Sequence, residues 1–329
     1  MLTDKVRAIQ RSKKVPAILV IGDLMIDHYV WGSASRLSPE APVPIVNVTN
    51  ESTTLGGAAN VAQNLVSLGA KVTLSGIIGD DGFGIRLKEI MAHEGIATDT
   101  ILEDKKRPTT VKTRVLAGSH QLVRVDREVT EPIDQQLADE LIGKLNNDIE
   151  QADIVLFSDY GKGLFSADVT QRLIKLAQSK GKKVIIDPKG LDYGKYQGAF
   201  IIKPNRKELA EAAKTAQIKN IDDLQKAAKV ILQQTDAEYL IVTLSEEGMV
   251  ILDELTYKLL PVKATAVFDV TGAGDTVLAT IAYFIASGLS IEESCELANH
   301  AAAIVIRRVG SATTTIDEIV DDIESNSKP

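Results

Sequence analysis

Short apolar runs ending in glycine or aspartate, each followed by a stretch with helical spacing, recur along most of the chain. AILVIGD (17–23) leads through LGGAAN to an amphipathic segment over 58–69, and KVTLSGIIG (71–79) precedes a helical stretch over 84–94. A helix over 133–149 precedes DIVLFSD (153–159), and one over 166–179 precedes KVIIDPKG (183–190). A strand over 199–203, a helix over 222–234, YLIVTLS (239–245) and GMVILDE (248–254) continue the rhythm. It closes on a turn at 271–274, a long helix from Asp275 and a last helix over 292–309. Uninterrupted apolar runs suit strands buried on both faces, with the intervening helices supplying both covers. The pattern predicts an α/β fold, a mostly parallel central sheet in a three-layer α/β/α sandwich.

Two regions break the rhythm. HYVWGSASRLSPEAPVPIVNVTN (28–50) holds short strand-like pieces among turn residues. TTVKTRVLAGSHQLVRVDR (109–127) reads as a hairpin around Ala117-Gly118-Ser119. Both are expected to project from a single domain spanning 1–329 as a small β-sheet lid, covering a site or pairing with another subunit. MLTDKVRAIQRSKKVP reads as a short helix or arm, and the terminal ESNSKP is expected to fray.

Composition narrows the function classes. With 44% apolar and 25% charged residues over 329 positions, the chain suits a globular protein with a substantial core. Its 37 basic and 45 acidic residues give a net charge of -8, which argues against a broad nucleic-acid face but allows a few local cations. One cysteine excludes an intrachain disulfide framework, and Cys295 is expected as a small core residue. No stretch approaches a membrane span or a secretory leader, so cytoplasmic residence is the expectation. The four histidines lack zinc-ligand spacing, and the serines lack a nucleophile elbow.

The densest chemistry lies in VFDVTGAGDTVLATIAYFIASG (267–288), an apolar strand end, a glycine-rich turn and a helix opening with an aspartate. Gly272 and Gly274 allow close approach to a ligand, and amides at the helix start can receive a phosphate or oxyanion. Asp275 beside that turn can take a proton from an attacking hydroxyl. The same segment also reads as ordinary helix capping. Gly22, Asp23 and Asp27 follow the first strand, where carboxylates suit sugar hydroxyls or serve as turn formers. GGAAN (56–60) adds close-approach glycines and the Asn60 carboxamide. SDYGKG (158–163) and IDPKG (186–190) bring Asp159, Asp187, Lys162 and Lys189, the lysines either meeting phosphate or pairing at the surface. In KPNRKE (203–208), Asn205 and Glu208 suit a magnesium–water–phosphate network, or a simple capping box. GDDGFG (79–84) sits in poor context for a dinucleotide turn and reads better as a structural loop. Polar groups at the carboxyl ends of parallel strands meet in one crevice.

GDLMIDHYVWG, SRLSPEAPVPIV, LGGAANVAQNLVSLGA, SDYGKG, IDPKG, KPNRKE and DVTGAGDTV together resemble the ribokinase-like (PfkB) carbohydrate kinase family, from about Ile18 through Ser311. The last block marks the broad family. The GD-to-SPEAPVP and GGAANVAQN blocks are similar to its branch acting on heptose 7-phosphates. The resemblance implies Asp275 as the base for a sugar anomeric hydroxyl and Gly272, Ala273 and Gly274 as the anion-hole turn. It places Asn205 and Glu208 around magnesium and the phosphates of ATP, partly through water. Asp23, Asp27, Gly57 and Asn60 would contact or shape the sugar pocket, with Asp187 and Lys189 as further sugar or phosphate contacts. Arg36, Lys112 and Arg114 in the lid are candidates for the distal sugar phosphate. Thr243, Ser245, Gly248 and Asn299 are candidates for the nucleotide base and ribose. The resemblance further implies a homodimer through the lid, with sugar phosphate and ATP as ligands and neither nucleic acid nor membrane as partner. It implies the 1,7-bisphosphate as product, on a route to ADP-heptose and the lipopolysaccharide inner core. A nucleotidylyltransferase unit fused to some relatives is expected to be absent, its step falling to a separate enzyme.

Overall fold

The computed structural model describes residues 2–12, 14–118, 120–262, 267–308 and 310–326. Helix α1 (Leu2–Arg11) leads into β1 (Ala17–Gly22), an apolar strand buried at the heart of the larger sheet. Strands β2 (Leu24–Leu37) and β3 (Pro44–Gly57) leave that sheet as a long antiparallel pair, and α2 (Ala58–Ser67) brings the chain back to β4 (Lys71–Gly79). After α3 (Gly82–His93) and β5 (Ile101–Asp104), β6 (Thr110–Ala117) and β7 (His120–Arg127) join β2. The alternation then resumes with α4 (Gln135–Gln151), β8 (Ile154–Ser158), α5 (Ala167–Ser179) and β9 (Lys183–Asp187). It continues through β10 (Ile201–Ile202), α6 (Arg206–Ala212), α7 (Ile221–Thr235) and β11 (Tyr239–Thr243). The chain finishes with β12 (Met249–Leu252), β13 (Tyr257–Leu260), α8 (Ala273–Ala286), α9 (Ile291–Val305) and α10 (Ile316–Asn326).

The larger sheet runs β13-β12-β11-β10-β9-β8-β1-β4-β5, parallel except for the antiparallel pairing of β12 with β11 and β13. Period-two alternation splits each strand between two cores. Val20, Leu74, Leu156, Ile185 and Ile241 face one helical layer, containing Leu65, Leu278 and Leu297. Leu19, Ile21, Val155, Phe157 and Val242 face the other, containing Leu141, Leu173 and Ile231. Helix starts are set by local chemistry, since Asp134, Ser166, Asn220 and Ser290 each accept a backbone N–H as N-caps. These are the three α/β/α layers expected.

The smaller four-stranded sheet has the order β3-β2-β6-β7. It is larger than expected: β2 and β3 are 14 residues each, reaching back to Leu24 and on to Gly57 rather than spanning 28–50 in pieces. The added inner ends, 24–27 and 51–57, follow Asp23 and run into Gly56-Gly57, which read as turn signals in the sequence. The β6–β7 hairpin falls where predicted, with Ser119 outside the described residues. Strands β5 and β13, and helix α10, go beyond the expected elements. The helix expected over 292–309 ends at Val305, with Val309 outside the described residues. Of the tail expected to fray, 324–326 belong to α10 and 327–329 lie outside the described residues. GDDGFG opens α3, where Asp81 caps Gly84 N–H at 2.9 Å, a structural role. Cys295 is buried, and burial pushes its thiol pKa up.

Candidate active site

The carboxyl ends of adjacent parallel strands build the floor of a crevice. Gly22, Ser158 and Asp187 stand in register across β1, β8 and β9. Polar residues follow just beyond the strand ends: Asp23 after β1, Tyr160 after β8, Lys203 after β10 and, three positions past β10 and bridged to Thr243, Asn205. The start of α8 faces this row. Gly272 takes φ +78°, the left-handed conformation that turns the chain into the helix, and no side chain caps that start. Ala273 N–H leans to the Val270 carbonyl at 3.2 Å. A methyl group on Gly274 would meet only Lys203 Nζ, at 4.0 Å, so the turn opens toward an ammonium group. Uncapped helix-start amides beside a lysine fit the chemistry of a phosphate.

Asp275 lies in the first turn of α8 and is 5% exposed. Its Oδ2 accepts from Asn60 Nδ2 at 2.7 Å and its Oδ1 from the Tyr160 phenol at 2.7 Å. Burial pushes its pKa up, while Tyr160, Asn60 and the Lys203 charge pull it back. Asn60 is fixed by its place on α2, whose Asn64 accepts from Thr276 of α8 at 2.8 Å. Gly57, at φ +56°, starts that helix so close to Asp23 that a Cβ would stand 2.5 Å from the Asp23 carbonyl.

Lys203 is 3% exposed and pairs with Asp187 at 3.1 Å. Burial first, opposed by Lys203, raises the Asp187 pKa to about 7. Asp23 points its Oδ2 at the N–H groups of Tyr160 (2.8 Å) and Lys162 (3.1 Å), so it shapes the crevice wall by anchoring the 160–162 loop. Burial, helped by Asp159, raises its pKa to about 6. Asp27 is buried and bonded to Arg114, whose guanidinium lies 5.3 Å from the Tyr29 ring centre. Lys112 lies 5.6 Å from the centre of the Tyr160 ring. Lys112 and Arg114 therefore reach the crevice mouth from β6. Arg36 does not: it is exposed on β2, nine residues beyond Asp27, about 30 Å along an extended strand.

Asn205 and Glu208 form a capping box on α6: Asn205 Oδ1 accepts Glu208 N–H at 2.9 Å, and Glu208 Oε2 accepts Asn205 N–H at 3.1 Å. Glu208 Oε1 also takes the Lys189 ammonium at 2.9 Å. These are oxygen donors of the type magnesium accepts, and contact through its water shell leaves the cap intact. No group of three or more metal-ligating His, Cys, Asp or Glu exists among the described residues. Lys162 pairs with Glu128 at 2.8 Å, so of the lysines near the crevice Lys203 is the one placed at the turn. Thr243 bridges to Asn205 and Ser245 sits at φ +55° just beyond it. Gly248 and Asn299 meet around one carbonyl: Asn299 donates to Leu260 O at 3.1 Å, and a Cβ on Gly248 would lie 2.2 Å from it. That places both on the β11–β13 flank, beside the crevice rather than on its floor.

Sequence reasoning missed Lys203 and Tyr160. Both lie inside the KPNRKE and SDYGKG blocks, but their roles depend on distant partners: Asp187 stands 16 residues before Lys203, and Asp275 stands 115 residues after Tyr160.

A family match assigns the chain to the sugar-kinase class of phosphotransferase. The chain belongs to the pfkB family of carbohydrate kinases, which it matches over residues 15–318. It is 46% identical over 95% of its length to "Bifunctional protein HldE" of Helicobacter hepaticus, covering 65% of that protein. It is 46% identical over 92% of its length to the protein of the same name from Sulfurimonas denitrificans, covering 63% of it. The chain thus spans a little under two thirds of the curated relatives it matches. Among solved structures, Arabidopsis thaliana ribokinase complexed with ribose and ATP superposes with a TM-score of 0.75 at 20% identity, over 94% of this chain and 99% of that one.

Proposed function

We propose that this chain transfers the γ-phosphoryl group of ATP to the anomeric C1 hydroxyl of D-glycero-β-D-manno-heptose 7-phosphate, giving the 1,7-bisphosphate. The observation that carries this is the Asp275 carboxylate, held at both oxygens beside an uncapped helix start and the Lys203 ammonium. Asp275 takes the C1 hydroxyl proton as that oxygen attacks the γ-phosphorus in line, and the bond to the ADP oxygen breaks. Lys203 and the Gly272–Gly274 turn offset charge on the group in transit. Magnesium, when bound through water at Asn205 and Glu208, supplies further charge neutralisation at the phosphates. Asp23, Asp27 and Asn60 line the sugar side, and Thr243 and Ser245 the nucleotide side, with Lys189 and Asp187 between them.

The heptose reading is supported by the GDLMIDHYVWG, SRLSPEAPVPIV and GGAANVAQN blocks and by similarity to the HldE proteins. A phosphorylated sugar is supported by Lys112 and Arg114 above the crevice. The product fits a route to ADP-heptose and lipopolysaccharide in the cytoplasm. No described helix is long and apolar enough to cross a membrane. The smaller sheet exposes Leu37, Val48, Val123 and Val125, with Val43 exposed in the β2–β3 connection, which supports its use as a lid that pairs with a second copy. Light scattering should then report a homodimer; a monomer at assay concentrations removes that assembly.

The deciding experiment is phosphorylation by the purified chain with ATP and magnesium, offering both heptose 7-phosphate anomers, fructose 6-phosphate and ribose, with product NMR. Faster turnover of another sugar reassigns the substrate, and ligand binding without product makes the chain a sensor. Asp275→Asn should retain the fold and lose roughly 10²–10⁴-fold in turnover. Unchanged turnover would remove the base.

A further inference from the structure

We propose that Tyr160 is the positioning residue for the base, its phenol holding Asp275 Oδ1 while Asn60 holds Oδ2. This rests on the reading of Asp275 as base. A carboxylate torsion is broad and two-fold, so an aspartate held at one oxygen still rocks. Here donors from two separate elements grip opposite oxygens, each at 2.7 Å. Each oxygen keeps a second lone pair for an acceptor hydroxyl.

The loop that carries Tyr160 is itself tied down by buried acids. Asp23 takes the Tyr160 and Lys162 amides, and Asp159 takes Gly161 N–H at 2.7 Å. Asp159 is in turn gripped by Lys195 at 2.6 Å and the Tyr196 phenol at 2.7 Å. Burying the Asp23 carboxylate against one short loop is costly in free energy, and that burial is the main cause of its raised pKa. The phenol these acids position contacts Asp275, and positioning that contact is what the anchoring achieves.

The groups facing Asp275 are Tyr160 from the loop after β8, Asn60 from α2, Lys203 after β10, Asp27 from β2 and Asp187 from β9. Burial and nearby carboxylates raise the Tyr160 pKa far above its usual value, so the phenol stays a donor. Its hydrogen bond favours the ionised base, against the larger effect of burial.

The test is Tyr160→Phe in the full chain. Turnover should fall about 10²-fold, as for a misplaced catalytic group. The Michaelis constants for sugar phosphate and ATP should stay within about twofold. The acid limb of the kcat/KM profile should move to higher pH. A carbon-13 titration of the Asp275 carboxyl, assigned with Asp275→Asn, gives a readout that needs no turnover. Its midpoint should rise in Tyr160→Phe and fall when a fluorinated tyrosine, a stronger donor of nearly the same shape, occupies position 160. An unmoved midpoint in both variants overturns the proposal, as does a raised sugar Michaelis constant with unchanged turnover. If the parent phosphorylates no sugar, the kinase reading fails, while the titration still decides the role of Tyr160.

Discussion

Gly272 shows how one residue can set a site. At φ +78° a side chain is strained by about 1–2 kcal/mol, and a Cβ would stand 2.9 Å from Asn60 Nδ2. The strained atom is the one that holds Asp275 Oδ2. Gly272→Ala should therefore lower turnover more than it lowers thermal stability, because the displaced carboxamide releases the base. Steady-state rates beside thermal melts check this, and a variant with parental turnover argues against the Asn60 grip. The glycine was legible from sequence because a turn before a helix start needs one. Lys203 was not, because its burial follows from Asp187 on the neighbouring strand, and strand order is not written locally.

Among the elements, the apolar strands were legible because burial on both faces leaves an uninterrupted signature. Strands β2 and β3 were read short at their inner ends, where 24–27 follows the Gly22-Asp23 turn signal and 51–57 runs into the glycines before α2. Helix α10 carries Ile316, Ile319, Val320 and Ile323 at helical spacing, diluted by acids, so the signal was present but weak. Within the smaller sheet, alternation sets Lys112 and Arg114 of β6 on one face with Asp27 and Tyr29 of β2. Arg114 also lies directly across from Arg124, each already paired with a carboxylate, Asp27 for Arg114 and Asp126 for Arg124. Lys112→Ala and Arg114→Ala should raise the Michaelis constant for a phosphorylated sugar several-fold more than that for ATP. Arg36→Ala, at the far end of the neighbouring strand β2, should leave both unchanged in a monomeric preparation. Equal effects on sugar and nucleotide would remove β6 from phosphate recognition.

Taken as a whole, the molecule concentrates its buried acids at one end of the larger sheet. Asp23, with its pKa raised to about 6, binds a proton more tightly folded than unfolded. Its stabilising contribution is complete below the unfolded value, near 4, and is lost as pH rises through about 6. The size is on the order of 3 kcal/mol. Asp23→Asn keeps the shape and an oxygen for the Tyr160 and Lys162 amides, so it should flatten unfolding free energy between pH 4 and 6 in denaturant titrations. An unchanged slope would assign the pH dependence to other groups.

The grip on Asp275 joins α2, early in the chain, to α8, late in it, with most of the larger sheet threaded between them. On the ribosome, the strands that form the crevice floor emerge well before the helix that completes it. Until position 275 clears the exit tunnel, Asn60 has no carboxylate to hold, and the nascent chain carries no working phosphate site.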